Sequence, residues 1–177
     1  MTPTVLLLPG LYDSGPEHWQ SYWERSDPRM LRVRQRDWNA PAREEWVATL
    51  DAAVTEHGSD VVLVAHSTAC ALVAFWARDS GRRVRGALLV GPSDTEAPSY
   101  PAGPTGWAPM PLAPIPFPTT VVYSSDDEYV SPARAVQFAK AWGSRIVLVH
   151  DAGHLNSASG LGDWPLGRMQ LDQLLGA

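Results

Sequence analysis

Short apolar runs recur along the chain, and most are followed by a stretch of helical character. The runs are Val5–Leu8, Leu31–Val33, Val61–Ala65, Gly86–Val90, Thr119–Tyr123 and Ile146–Val149. They are brief, rich in β-branched residues and nearly continuous, without alternation of apolar and polar positions. That pattern predicts strands buried on both faces of a parallel sheet. Between them, Glu44–His57 sets Trp46, Val47, Leu50 and Val54 on one helical face and stops at Gly58. Cys70–Asp79 follows the third run and stops near Gly81, and Pro132–Trp142 ends at Gly143. A last helix is expected from Asp163-Trp164-Pro165, an N-cap candidate with an early proline, carrying Leu166, Met169 and Leu174. Strand–helix alternation predicts an α/β fold: a doubly wound parallel sheet of about six strands with helices on both faces. With 177 residues and no internal repeat, one domain over 1–177 is expected.

One segment breaks the rhythm. Gly91–Pro118 holds nine of the sixteen prolines and shows no periodicity. Connections this long are uncommon in compact domains and tend to be functional. It leaves the C-terminal end of a strand, the edge where α/β folds bind ligands. It reads either as a proline-stiffened surface loop or as a wall and partial lid over a site.

Composition narrows the classes. At 45% hydrophobic and 19% charged residues the chain is that of an ordinary globular protein. Its net charge of −5 speaks against nucleic-acid and anionic-membrane partners, and Arg82, Arg83 and Arg85 beside Gly81 read as a solvated loop. Val5–Leu8 is too short for a signal-peptide core or a membrane span, so the cytoplasm is the expected location. The single cysteine, Cys70, forms no internal disulfide and reads as structural. No Cys/His spacing suits zinc, and neither metal nor organic cofactor is expected. Trp19, Trp23, Trp38 and Trp46 read as core and loop anchors.

Chemistry enters at Val61-Val62-Leu63-Val64-Ala65-His66-Ser67-Thr68-Ala69-Cys70, where an apolar strand runs through a polar turn into an Ala-rich helix. This is the setting of a nucleophile elbow, in which a strained turn lifts a serine hydroxyl above the sheet. The usual glycines two before and two after the serine are Ala65 and Ala69 here. Ser67 is also a plain helix N-cap candidate. A nucleophilic serine needs a base, and the base needs an orienting acid. After the fifth run stand Asp126 and Asp127, and after the sixth His150 and His154, in the chain order Ser, Asp, His. Val130-Ser131-Pro132, opening the next helix three residues after Asp127, selects Asp127 and leaves Asp126 to the turn. His150 belongs to the strand end, which leaves His154 as base. His66 is expected to point away from the site, and His18 and His57 to lie at the surface or at helix ends. An oxyanion needs two backbone donors. Thr68, after the nucleophile, and Leu11, in the loop after the first run, are the candidates. Gly10 would let the chain turn so that the Leu11 amide points inward.

Four segments carry a resemblance to a known family. They are Leu8-Pro-Gly-Leu-Tyr-Asp-Ser-Gly-Pro-Glu-His-Trp-Gln, Val64-Ala-His-Ser, Pro116-Phe-Pro with Ser124-Ser-Asp-Asp-Glu-Tyr-Val, and Ala152-Gly-His-Leu-Asn-Ser-Ala-Ser-Gly-Leu-Gly-Asp-Trp-Pro. Together they resemble the small serine hydrolases related to retinoblastoma-binding protein 9, within the α/β-hydrolase superfamily. The resemblance implies Ser67 as nucleophile, Asp127 as acid and His154 as base, on a minimal fold without a helical cap domain. Ala69, Thr68 and Glu128 depart from the family pattern, which usually has glycine, leucine and proline there. The implied activity is hydrolysis of small-molecule esters or related acyl substrates through an acyl-Ser67 intermediate. The competing class is a weakly active hydrolase-fold protein that acts by binding a protein partner.

Overall fold

All six apolar runs enter one parallel sheet in the computed structural model, which describes residues 3–176. Met1, Thr2 and Ala177, the ends of the domain expected over 1–177, lie outside them. The strands are β1 (Thr4–Leu8), β2 (Met30–Arg32), β3 (Val61–His66), β4 (Gly86–Val90), β5 (Thr119–Ser124) and β6 (Arg145–Val149). Their order is β2-β1-β3-β4-β5-β6, every pair parallel. The helices are α1 (Trp19–Ser26), α2 (Arg43–His57), α3 (Thr68–Ser80), α4 (Pro132–Trp142) and α5 (Pro165–Leu175). Trp46, Leu50, Phe75 and Phe138 pack α2, α3 and α4 on one face of the sheet. Trp19, Trp23, Leu171 and Leu174 pack α1 and α5 on the other.

Three elements depart from expectation, each for a local reason. Helix α1 went unpredicted because its N-cap is His18, whose Nδ1 accepts the Gln20 amide, so the usual Ser/Thr/Asp/Asn start signal is absent. Strand β6 is an edge, and Ile146 and Leu148 are exposed rather than buried. Helix α5 starts after Trp164, at φ +48°, with no side-chain cap, so Asp163 is not its cap. Its buried face is Gly167, Gln170, Leu171 and Leu174, whereas Leu166 and Met169 face outward. The reason is Trp164: a Cβ on Gly167 would stand 2.1 Å from that ring, so the helix makes its close approach there.

The Gly91–Pro118 segment is a packed wall. Trp107 is buried with its indole N–H donated to the Pro41 carbonyl, and the Trp142 indole N–H bonds the Pro111 carbonyl. Met110, Ile115 and Phe117 add buried apolar surface beneath it. Among the described residues no cap domain covers the sheet edge, and no helix is long and apolar enough to cross a membrane.

Candidate active site

Ser67 joins β3 to α3 at φ 61° and ψ −126°, a conformation that non-glycine residues hold only where the surroundings impose it. It occupies the N-cap position but makes no capping bond, so the plain N-cap reading fails. Ala65 and Ala69 are fully buried in the apolar core, which accommodates both methyl groups where the usual motif has glycine. Gly10 is needed, though not for the reason expected. Positive φ falls on Tyr12 and Asp13, while a Cβ on Gly10 would lie 2.7 Å from Ser67 Cβ. The loop after β1 therefore presses directly against the elbow.

The Ser67 hydroxyl instead meets His154: Oγ lies 2.9 Å from Nε2. On the far side of the ring, Nδ1 lies 2.9 and 2.8 Å from the two oxygens of Asp127. With Nδ1–H donated to the carboxylate, Nε2 is left to accept the serine proton. Asp127 also accepts the Tyr129 amide at 2.8 Å, which fixes the carboxylate from its own loop. Asp126 faces elsewhere. Its Oδ1 accepts the Ser124 hydroxyl and the Gly153 amide, bonds that hold its carboxyl below the usual range and tie the end of β5 to the loop bearing His154. Gly91, at φ +54°, lets these loops close, since a Cβ there would reach 3.1 Å from the His154 carbonyl.

A cleft of about 150 Å³ opens over Ser67, between Leu11, Tyr12, Tyr100, Tyr129 and Asn156. Leu11 and Thr68 line it, and neither backbone amide has a hydrogen-bond acceptor among the described residues. Tyr100 from the proline-rich wall hydrogen-bonds Thr68 through its hydroxyl, at 3.2 Å. A larger groove, about 460 Å³ between α2 and α3, contains no histidine and pairs Arg82 with Asp51. No group of three His, Cys, Asp or Glu among the described residues is placed to hold a metal ion. Burial pushes the Cys70 thiol up, in keeping with a structural role.

The family model for serine hydrolases matches residues 5–173. The chain belongs to the serine hydrolase family. Among solved structures, this serine hydrolase is similar to a YdeN-like hydrolase from Pectobacterium atrosepticum, with 31% identity and a TM-score of 0.86 over 98% of this chain and 90% of that one. It is also similar to the ydeN gene product of B. subtilis, with 17% identity and a TM-score of 0.76 over 99% and 100% of the two chains. A monoacylglycerol lipase from Paleococcus ferrophilus shares the α/β-hydrolase fold, with 13% identity and a TM-score of 0.69 over 97% and 93%. Comparison with curated protein sequences gives no match.

The serine hydrolase also places residues at the site that the pattern of the chain did not reveal. His66, expected to point away, packs against His154: its Nε2–H donates to the His154 carbonyl at 2.9 Å. His18, expected at the surface or at a helix end, is the N-cap of α1 and is buried, its ring 4.7 Å from that of His66. Ser93, from the wall, sits 2.8 Å from the nucleophile candidate. Its one available signal was position, three residues beyond a strand end.

Proposed function

We propose that the protein hydrolyses small-molecule esters or related acyl compounds through an acyl-Ser67 intermediate. Ser67 Oγ attacks the acyl carbon as His154 Nε2 takes its proton, and Asp127 holds the imidazole in the required tautomer. The Leu11 and Thr68 amides, free of other acceptors, stabilise the charge that develops on the carbonyl oxygen. His154 passes the proton to the leaving oxygen, then activates a water that releases the acyl group. The observation that carries this reading is the unbroken run of hydrogen bonds from Asp127 through His154 to Ser67, made by a hydroxyl that does not cap its helix. Cleft size favours short acyl groups, since about 150 Å³ falls below the roughly 300–1,000 Å³ usual for ligand pockets. A net charge of −5 favours a small neutral substrate over nucleic acid or an anionic membrane.

Short-chain nitrophenyl esters test the assignment. Wild type is expected to turn them over, Asp127→Asn to lose about 10⁴-fold in kcat, and Asp126→Asn less than about tenfold. No turnover by wild type across the series would contradict it, and would favour a protein that acts by binding a partner. Equal losses in the two Asn variants would contradict the choice of Asp127.

A further inference from the structure

Ser93 stands outside the three residues used above, yet its hydroxyl meets the reacting atom. The side chain is buried on the loop leaving β4, with Oγ 2.8 Å from Ser67 Oγ. The direction of that bond follows from the protons. His154 Nδ1 faces both Asp127 oxygens and keeps its hydrogen there, so Nε2 accepts the only proton of Ser67. Ser93 is therefore the donor and Ser67 Oγ the acceptor.

We propose that Ser93 is a further catalytic residue, whose hydroxyl stabilises Ser67 Oγ as that oxygen departs from the acyl group. The proposal rests on the acyl-Ser67 reading. In acylation the Oγ–carbon bond forms, the bond to the leaving oxygen breaks, and the Ser67 proton passes through His154 to that oxygen. In the acyl-enzyme, Oγ is an ester oxygen with one lone pair drawn into the carbonyl, and it accepts weakly from Ser93. Deacylation adds the water oxygen to the carbonyl carbon while His154 takes the water proton. The carbon–Oγ bond then breaks and His154 returns the proton to Oγ. Electron density grows on Oγ in that step, and the Ser93 hydroxyl is already aimed at it. Only an interaction stronger in the transition state than in the preceding ground state accelerates a step. In deacylation the bond strengthens from a weak start. In acylation it is already formed at the outset, so it gains less.

The two halves separate with a p-nitrophenyl carbamate, because a carbamoyl-enzyme is resonance-stabilised and accumulates. Nitrophenol release reports carbamoylation, and intact mass reports loss of the carbamoyl group. In Ser93→Ala, carbamoylation is expected within about threefold of wild type while decarbamoylation slows by about three- to tenfold, the range of one hydrogen bond. Ser93→Thr, which returns the hydroxyl, is expected to restore the second rate. Should the alanine variant unfold, Ser93→Cys, a weak donor of similar shape, is expected to show the same asymmetry. Unchanged decarbamoylation, or equal slowing of both halves, overturns the role of Ser93. A wild-type protein that gains no mass on Ser67 overturns the acyl-enzyme reading and Ser93 with it; normal wild-type labelling confines any failure to Ser93.

Discussion

His66 and His18 form a chain of rings packed on His154, tilted at 4.8 Å between centroids for His66–His154 and edge to face at 4.7 Å for His18–His66. Burial, reinforced by nearby positive groups, disfavours a proton on His66 or His18. The His18 pKa is pushed down to about 3, first by burial and then by Arg32 and His154, and His66 is lowered chiefly by burial. Stability inherits the consequence. Between an ordinary histidine pKa of about 6.5 and the folded value, the unfolded chain binds a proton at His18 that the folded chain does not. Stability is thus full above about 6.5 and is lost as pH falls through that window. The urea midpoint is expected to be lower at about pH 5 than at about pH 7, and His18→Asn, which keeps an N-cap side chain, to show a smaller drop. A wild-type midpoint that does not fall on acidification contradicts this account. Legibility in the chain differed sharply among the histidines. His154 could be read because it follows a strand end in the right order after Asp127. His18 could not, because its burial depends on how α1 packs.

At the scale of elements, α1 and α5 form a cradle for the loop that carries His154. The Trp19 indole N–H donates to the Leu155 carbonyl at 2.8 Å, and that of Trp23 to the Asp163 carbonyl at 2.7 Å. Trp164 closes the cluster, its ring 5.0 Å from Trp19. The His18-Trp19-Gln20 and Gly162-Asp163-Trp164-Pro165 segments, far apart in sequence, are therefore one structural unit. Their resemblance to a family was legible as motif, but their mutual contact was not, because it joins residues more than a hundred positions apart. Gln20 extends the unit, its buried amide donating to the Leu8 and Val64 carbonyls near the ends of β1 and β3. The closest packing is at Gly167, so Gly167→Ala is expected to cost about 1–3 kcal/mol by overpacking. At about 2–4 °C per kcal/mol for a chain of this size, the melting temperature should fall by several degrees. An unchanged melting curve would contradict the contact.

Across the whole molecule, chemistry gathers at one edge of the sheet. Leu11 follows β1, Ser67 follows β3, Ser93 follows β4, Asp127 follows β5 and His154 follows β6. All six strands are parallel, so these C-terminal ends lie together, and residues separated by up to 143 positions meet in one cleft. Apart from Ser93, this gathering was readable from the order of apolar runs and the motifs that follow them. For Gly91–Pro118 the chain left surface loop and wall both open, because proline-rich sequence carries no periodicity; its position comes from Trp107 and Trp142 anchoring it on α2 and α4. The central claim is that this edge makes Ser67 a nucleophile. A fluorophosphonate probe followed by peptide mass mapping tests it most directly. The account predicts one phosphonyl adduct on Ser67 in the wild-type protein and none in Ser67→Ala. Equal labelling of the two proteins, or an adduct on another residue, would contradict it.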